Sequence, residues 1–319
     1  MTDLETMPAR PRQSMRPPIA GLLASMGDAD PNLVVLAADG RALALPFAAR
    51  HPDRFFDVGI AEATVMGVAG GLARAGHRVV VCGMAPFLVR RAVEQIRLDV
   101  CGPGLDVTIL AVGGGVGYGG LGSSHHVPED LGTMMAMPHT RVFCPADIPD
   151  ALWAVERAIT GSGPAYVRLA AREVAAVHDE ESLPSAQGIR GGGDRPEVVV
   201  IATGSTVGPA HEAVRRAQAV GISSGVLELV QVWPFPYRAV ADQLRSARRI
   251  VVVEEHLAGS GVGARTALAL CGRWHGTAAF LAIREGPTPP GEIEALARHY
   301  GIDADSVLHA MTDQGDGGL

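Results

Sequence analysis

Two stretches of this chain, Leu33–Ala37 (LVVLA) and Val107–Val112 (VTILAV), are apolar almost from end to end rather than at alternate positions. A strand with one wet face alternates, so a continuous run marks a strand covered on both faces. Such strands belong to parallel sheets packed between helices. Helical segments fill the gaps here. Glu62–Ala75 is alanine-rich and lies between Gly59 and Gly76, and Phe87–Val100 carries apolar residues at helical spacing. Strand-like runs at 54–58, 78–82, 140–144 and 166–169, with a helical stretch at 151–159, continue the alternation. The expected fold class is α/β, doubly wound.

One segment interrupts the pattern. His178–Pro196 (HDEESLPSAQGIRGGGDRP) is polar, acidic and then glycine-rich, the composition of a connector. Beyond it a second βα series begins, with strands at 197–203, 226–232, 250–254 and 280–283 and helices at 207–220, from Val262 and after Pro290. The organisation this implies is a disordered tail at 1–17, a first domain at 18–178, a linker at 179–196 and a second domain at 197–319.

Composition removes several functions. The chain has 27 basic against 34 acidic residues, a net charge of −7. That balance argues against nucleic-acid or anionic-membrane partners, which call for a basic surface. All 27 basic residues are arginine. Without lysine there is no Schiff-base chemistry, no lipoyl or biotin attachment and no Walker A phosphate loop. Cys82, Cys101, Cys144 and Cys271 lie in apolar stretches without CxxC spacing, so they read as buried thiols in a reducing compartment. Thr2–Pro18 has no apolar signal-peptide core, and no run of about 18 apolar residues occurs. The expected location is the cytoplasm.

Three motifs carry candidate chemistry. Gly113–Gly122 (GGGVGYGGLG) follows a strand and contains G-x-G-x-x-G, but runs into Ser123-Ser124-His125-His126 rather than a helix. A close-approach loop at the carboxyl end of a strand fits it better than a dinucleotide fingerprint. His125 and His126 have no accompanying ligand spacing, so no metal site is expected from this chain; hydrogen bonding or proton transfer suits them better, beside the plain alternative of exposed loop histidines. A second cluster, Gly259–Gly263, opens a helix, and turn chemistry explains it without a ligand. Glu62 opens an almost wholly apolar helix. The helix dipole favours an acid there, and a carboxyl among Val58, Ile60, Val65 and Met66 would also favour its protonated, hydrogen-bond-donating form. Arg90, Arg91, Glu94 and Arg97 read as a solvated or interface face.

The segment 52–76 (PDRFFDVGIAEATVMGVAGGLARAG) resembles the pyrimidine-binding domain of the transketolase superfamily, with Asp-Val-Gly-Ile-Ala-Glu its most specific part. Segments 90–100, 122–147, 163–169, 202–213 and 251–263 match the same superfamily in the same order, over nearly the whole chain. The likeness is to the C-terminal subunits of split transketolases and to 1-deoxyxylulose-5-phosphate synthase. It implies a pyrimidine-binding domain followed by a transketolase C-terminal domain, and thiamine diphosphate as cofactor. By resemblance Glu62 hydrogen-bonds N1′ of the aminopyrimidine and Phe87 packs on that ring, with Ile60, Met84 and Arg91 also at the cofactor. Asp39, His125, His126 and Arg172 correspond to substrate-facing positions, His125 with a catalytic role beside Glu62.

The resemblance also says what this chain lacks. The superfamily holds Mg²⁺ and diphosphate with a GDG motif and a downstream Asn, and the one GDG here is Gly315–Gly317. A separate diphosphate-binding subunit is therefore expected to hold the Mg²⁺, in a two-fold α2β2 assembly. Gly113 and Leu121 replace the histidine and acid that relatives place in this loop. The donor is accordingly expected to be not an ordinary pentose phosphate but an unusual ketose or a 2-oxo acid, with an aldehyde acceptor. The alternatives are a subunit of a carboligase or dehydrogenase that consumes 2-oxo acids, and a non-catalytic scaffold.

Overall fold

The computed structural model describes residues 11–191, 196–284 and 286–313. In chain order the strands are β1 (Arg12–Gln13), β2 (Leu33–Ala37), β3 (Phe55–Asp57), β4 (Arg78–Met84), β5 (Val107–Val112), β6 (Arg141–Phe143) and β7 (Ala165–Leu169). There follow β8 (Val174–Ala175), β9 (Ile189–Gly191), β10 (Val198–Ala202), β11 (Ser224–Leu229), β12 (Gln231–Trp233), β13 (Arg249–Leu257) and β14 (Thr277–Ile283). A seven-stranded sheet runs β12-β6-β7-β5-β4-β2-β3 and a five-stranded sheet runs β14-β13-β10-β11-β9. All neighbours in these two sheets are parallel except β12 against β6 and β9 against β11.

The continuous apolar runs do what their pattern demands. In β2, Val34 and Leu36 pack with Val65, Met66 and Ala69 of helix Glu62–Arg74. Leu33 and Val35 point the other way, into a layer with Ile19, Leu23 and Phe47. Each of these strand residues is removed from water, worth about 1.5–3 kcal/mol per large apolar side chain. One apolar cluster reaches from β4 and β5 through Val142 and Cys144 to Val199 and Leu229, joining the two sheets. No helix among the described residues is long and apolar enough to cross a membrane.

Several expectations need correction. Residues 11–17 are not a disordered tail: β1 pairs with β8, and a helix begins at Arg16. Residues 1–10 lie outside the described residues. The run 226–232 is two strands, β11 in one sheet and β12 in the other. The segment 179–196 contains β9, whose Ile189 pairs with Leu229. Phe87–Val100 is not one helix. Helix Ala85–Arg91 ends at Ala92 (φ −115°, ψ 16°), a separate short α-helical segment Val93–Gln95 follows, and Ile96–Cys101 is π-helical. Cys271 is exposed, whereas the other three thiols are buried.

Candidate active site

In the seven-stranded sheet the chain runs from β2 to β3 on one side, then resumes with β4 on the other side of β2. The crevice at the carboxyl ends of such diverging strands is where open α/β sheets bind ligands. Asp39 follows β2, Glu62 follows β3, Phe87 follows β4, and the glycine loop leading to His125 follows β5. Four candidate segments therefore leave the same edge of the sheet.

Glu62 is placed by a short turn. Asp57 accepts from the Gly59 amide at 2.9 Å and pairs with Arg41 at 3.1 Å. Gly59 adopts φ +72°, a conformation glycine reaches without strain, and the helix then starts at Glu62. Glu62 is 4% exposed. Its surroundings are not wholly apolar as expected. Ile60 is 71% exposed and does not enclose it. Instead Arg91 places Nη1 3.1 Å from both carboxylate oxygens. Arg91 thus pairs with Glu62 while its side chain stays half exposed.

Phe87 connects this pair to the loop. The Arg91 guanidinium lies over the Phe87 ring, 4.1 Å from its centroid. The His125 ring meets Phe87 edge-on at 5.1 Å, and Tyr118 lies 5.8 Å from His125 on another side. Ser124 Oγ is 2.9 Å from His125 Nδ1, which fixes the ring's rotation. Tyr118 escaped notice in the sequence. Its signal was being the sole aromatic residue of the loop Gly113–Gly122. Met84 caps the helix that carries Phe87 and is half-buried. Asp39 is exposed and takes φ 58°, a left-handed conformation that Asp tolerates better than most residues. A Cβ on the next residue, Gly40, would lie 2.7 Å from Gly83 Cα, so the ends of β2 and β4 pass in close contact.

Two expected members stand elsewhere. His126 is fully buried, with Nε2 2.9 Å from the Gly119 carbonyl and Nδ1 2.8 Å from Thr288 Oγ1. Since a carbonyl only accepts, Nε2 carries the proton and Nδ1 accepts from the Thr288 hydroxyl. Burial pushes its pKa below the usual histidine value. Both ring nitrogens of His126 are thus engaged within the protein, tying the loop at Gly119 to Thr288. Arg172 lines a cleft with Gly113, Gly117, Arg168 and Glu255, lies 3.7 Å from Glu292 and stands beside Gly119 of the glycine loop.

The glycine clusters serve packing. A Cβ at Gly114 or Gly115 would collide with Arg168, which is buried and 3.3 Å from Asp130. The amides of Val262 and Gly263 donate to Glu254 at 2.7 and 3.0 Å, so a carboxylate of the protein itself takes that helix N-terminus. Among the described residues, the His and carboxylate groups close enough to hold a cation involve Asp147, Asp150, His178, His211 and Glu228, away from Glu62.

Residues 12–175 match the family model described as transketolase, pyrimidine binding domain, and residues 192–307 match transketolase, C-terminal domain. The chain belongs to the transketolase family. It is 33% identical, over 87% of its length and 90% of the relative's, to a subunit of the apulose-4-phosphate transketolase of Actinobacillus succinogenes. It is 34% identical, over 87% of its length and 45% of the relative's, to 1-deoxy-D-xylulose-5-phosphate synthase 1 of Geobacter metallireducens. A solved split gene transketolase, described as an inactive beta4 tetramer, superposes with a TM-score of 0.84 at 30% identity, covering 93% of this chain and 97% of that one.

Transketolase membership implies thiamine diphosphate. The donor set fits its pyrimidine end: a flat ring face on Phe87 stands beside carboxylate oxygens that already accept from a planar N–H donor. The Gly315–Gly317 motif lies outside the described residues.

Proposed function

We propose that this chain is the pyrimidine-binding subunit of a two-chain, thiamine-diphosphate-dependent transketolase-like transferase. It would move a two-carbon unit from a ketose donor to an aldehyde. The observation that carries this reading is the convergence of Glu62, Phe87 and His125 at one sheet edge. Glu62 would hold N1′ of the cofactor, Phe87 its ring, and His125 a substrate hydroxyl or proton. When bound, the cofactor supplies the nucleophilic carbon that opens the donor's carbon–carbon bond. The diphosphate and Mg²⁺ would be held by a partner subunit in an α2β2 assembly. Exposed apolar side chains beside the site, Ile60 and Leu121, suit coverage by such a partner. Relatives matched over most of their length, and named as subunits of apulose-4-phosphate and 6-deoxy-6-sulfo-D-fructose transketolases, favour a ketose donor.

A second reading, a 2-oxo-acid-using carboligase, is favoured by Gly113 and Leu121 in the loop. Reconstitution with a GDG-bearing partner, thiamine diphosphate and Mg²⁺ tests both. Ketose-dependent transfer supports the first, and pyruvate consumption with CO₂ release supports the second. Glu62→Gln should lower turnover about a hundredfold or more in either case. Unchanged turnover would leave only a scaffold role.

A further inference from the structure

We propose that Arg91 is a placeholder for the cofactor's pyrimidine ring and must swing out before that ring can bind. This rests on the assignment of Glu62 and Phe87 to the cofactor. A guanidinium is flat, delocalised and rich in N–H donors. Here it makes both contacts an aminopyrimidine would need: it lies over the Phe87 ring with its central carbon 4.1 Å from the centroid, and Nη1 reaches both Glu62 oxygens at 3.1 Å. One ring face cannot hold two flat groups at stacking distance, so the two occupants compete.

The placement of Arg91 suits a group that leaves. It is the last residue of helix Ala85–Arg91, and the backbone turns non-helical at Ala92. Its side chain is 49% exposed, against 5% for Glu62. Departure therefore moves no buried side chain of the core. The neighbouring Arg90 is held in the opposite sense, by Glu129 at 2.8 Å and the Ser123 carbonyl at 3.2 Å, and cannot substitute. The physical reason for a placeholder is the burial of Glu62. A carboxylate shut away from water without a partner is costly. Arg91 partners it until the cofactor does, and the cofactor's measured affinity is reduced by the work of displacing the guanidinium.

The test is titration calorimetry of thiamine diphosphate, with Mg²⁺, into the complex of this chain and its diphosphate-binding partner. Arg91→Met keeps a flexible stem but removes the plane and the charge. It should bind the cofactor about fivefold or more tightly than wild type. Arg91→Gln, which keeps an N–H for Glu62 but not the cation, should fall between the two and covers the case in which Arg91→Met does not fold. Equal or weaker binding by the folded variants, with wild-type binding intact, overturns the placeholder. Absence of binding in the wild-type complex overturns the cofactor assignment itself.

Discussion

At the scale of single residues, Glu62 was legible because an acid opening an apolar helix is a local anomaly. Phe87 and His125 were legible through resemblance. The separate fates of His125 and His126 were not, because adjacent loop residues can face opposite ways and no periodicity reports which. One meets the Phe87 ring edge-on; the other bridges Gly119 to Thr288. This division makes a prediction. His126→Ala strands the buried Thr288 hydroxyl and leaves the Gly119 carbonyl only the Gly291 amide, and should lower stability by about 2 kcal/mol. His125→Ala, at a half-buried position, should leave the melting midpoint within a few degrees while abolishing most turnover of the assembled enzyme. Differential scanning calorimetry on the two variants separates these outcomes; equal destabilisation would refute the division.

At the scale of elements, the apolar runs of β2, β4, β5 and β10 and the Ile250–Val253 stretch of β13 could be read directly, because burial on both faces leaves a compositional mark. The switch of 226–232 from one sheet to the other left no such mark. Both strands are apolar, and the partner of β12 is a strand almost ninety residues earlier, at Phe143. The short turn before Glu62 was half legible. Gly59 stands out as a boundary, but its positive φ and the Asp57 hydrogen bond to its amide belong to the folded turn. Gly59→Ala has open space around the new methyl, so the left-handed backbone is its main obstacle. The strain is about 1–2 kcal/mol. Relief by a backbone shift would move the start of the helix and Glu62 with it. Thiamine diphosphate affinity should therefore fall by more than the loss in stability accounts for, as paired calorimetric titration and melting curves would show.

At the scale of the whole molecule, the segment 178–196 has the composition of a solvated connector, yet its charges form the electrostatic joint between the sheets. His178 sets Nε2 3.0 Å from Glu228 on β11 and Nδ1 3.1 Å from Asp147 beside the first sheet. Arg190 reaches Asp150 at 2.8 Å and Glu228 at 3.1 Å, and His211 reaches Glu228 at 2.7 Å. A polar composition shows which residues carry charge but not which counter-charges the fold delivers to them. Burial opposes ionisation of His178, but Asp147 and Glu228 outweigh it and raise its pKa from 6.5 to about 9. Burial likewise works against the Glu228 carboxylate, and His178 and His211 outweigh it, lowering its pKa from 4.5 to about 2. The raised histidine contributes fully below pH 6.5, and that contribution disappears as pH climbs through about 9. The lowered glutamate contributes above pH 4.5 and loses its effect as pH falls through about 2. The joint is therefore strongest between these limits, from pH 4.5 to 6.5. Because the two shifts describe largely one shared interaction, replacing His178 should remove most of the alkaline slope by itself. His178→Gln should melt below wild type at pH 6, and the gap should narrow steadily toward about pH 9.5, where the wild-type imidazole has lost its proton. A gap that stays constant across that range would mean the histidine contributes by packing alone, with no protonated bridge between the two halves of the chain.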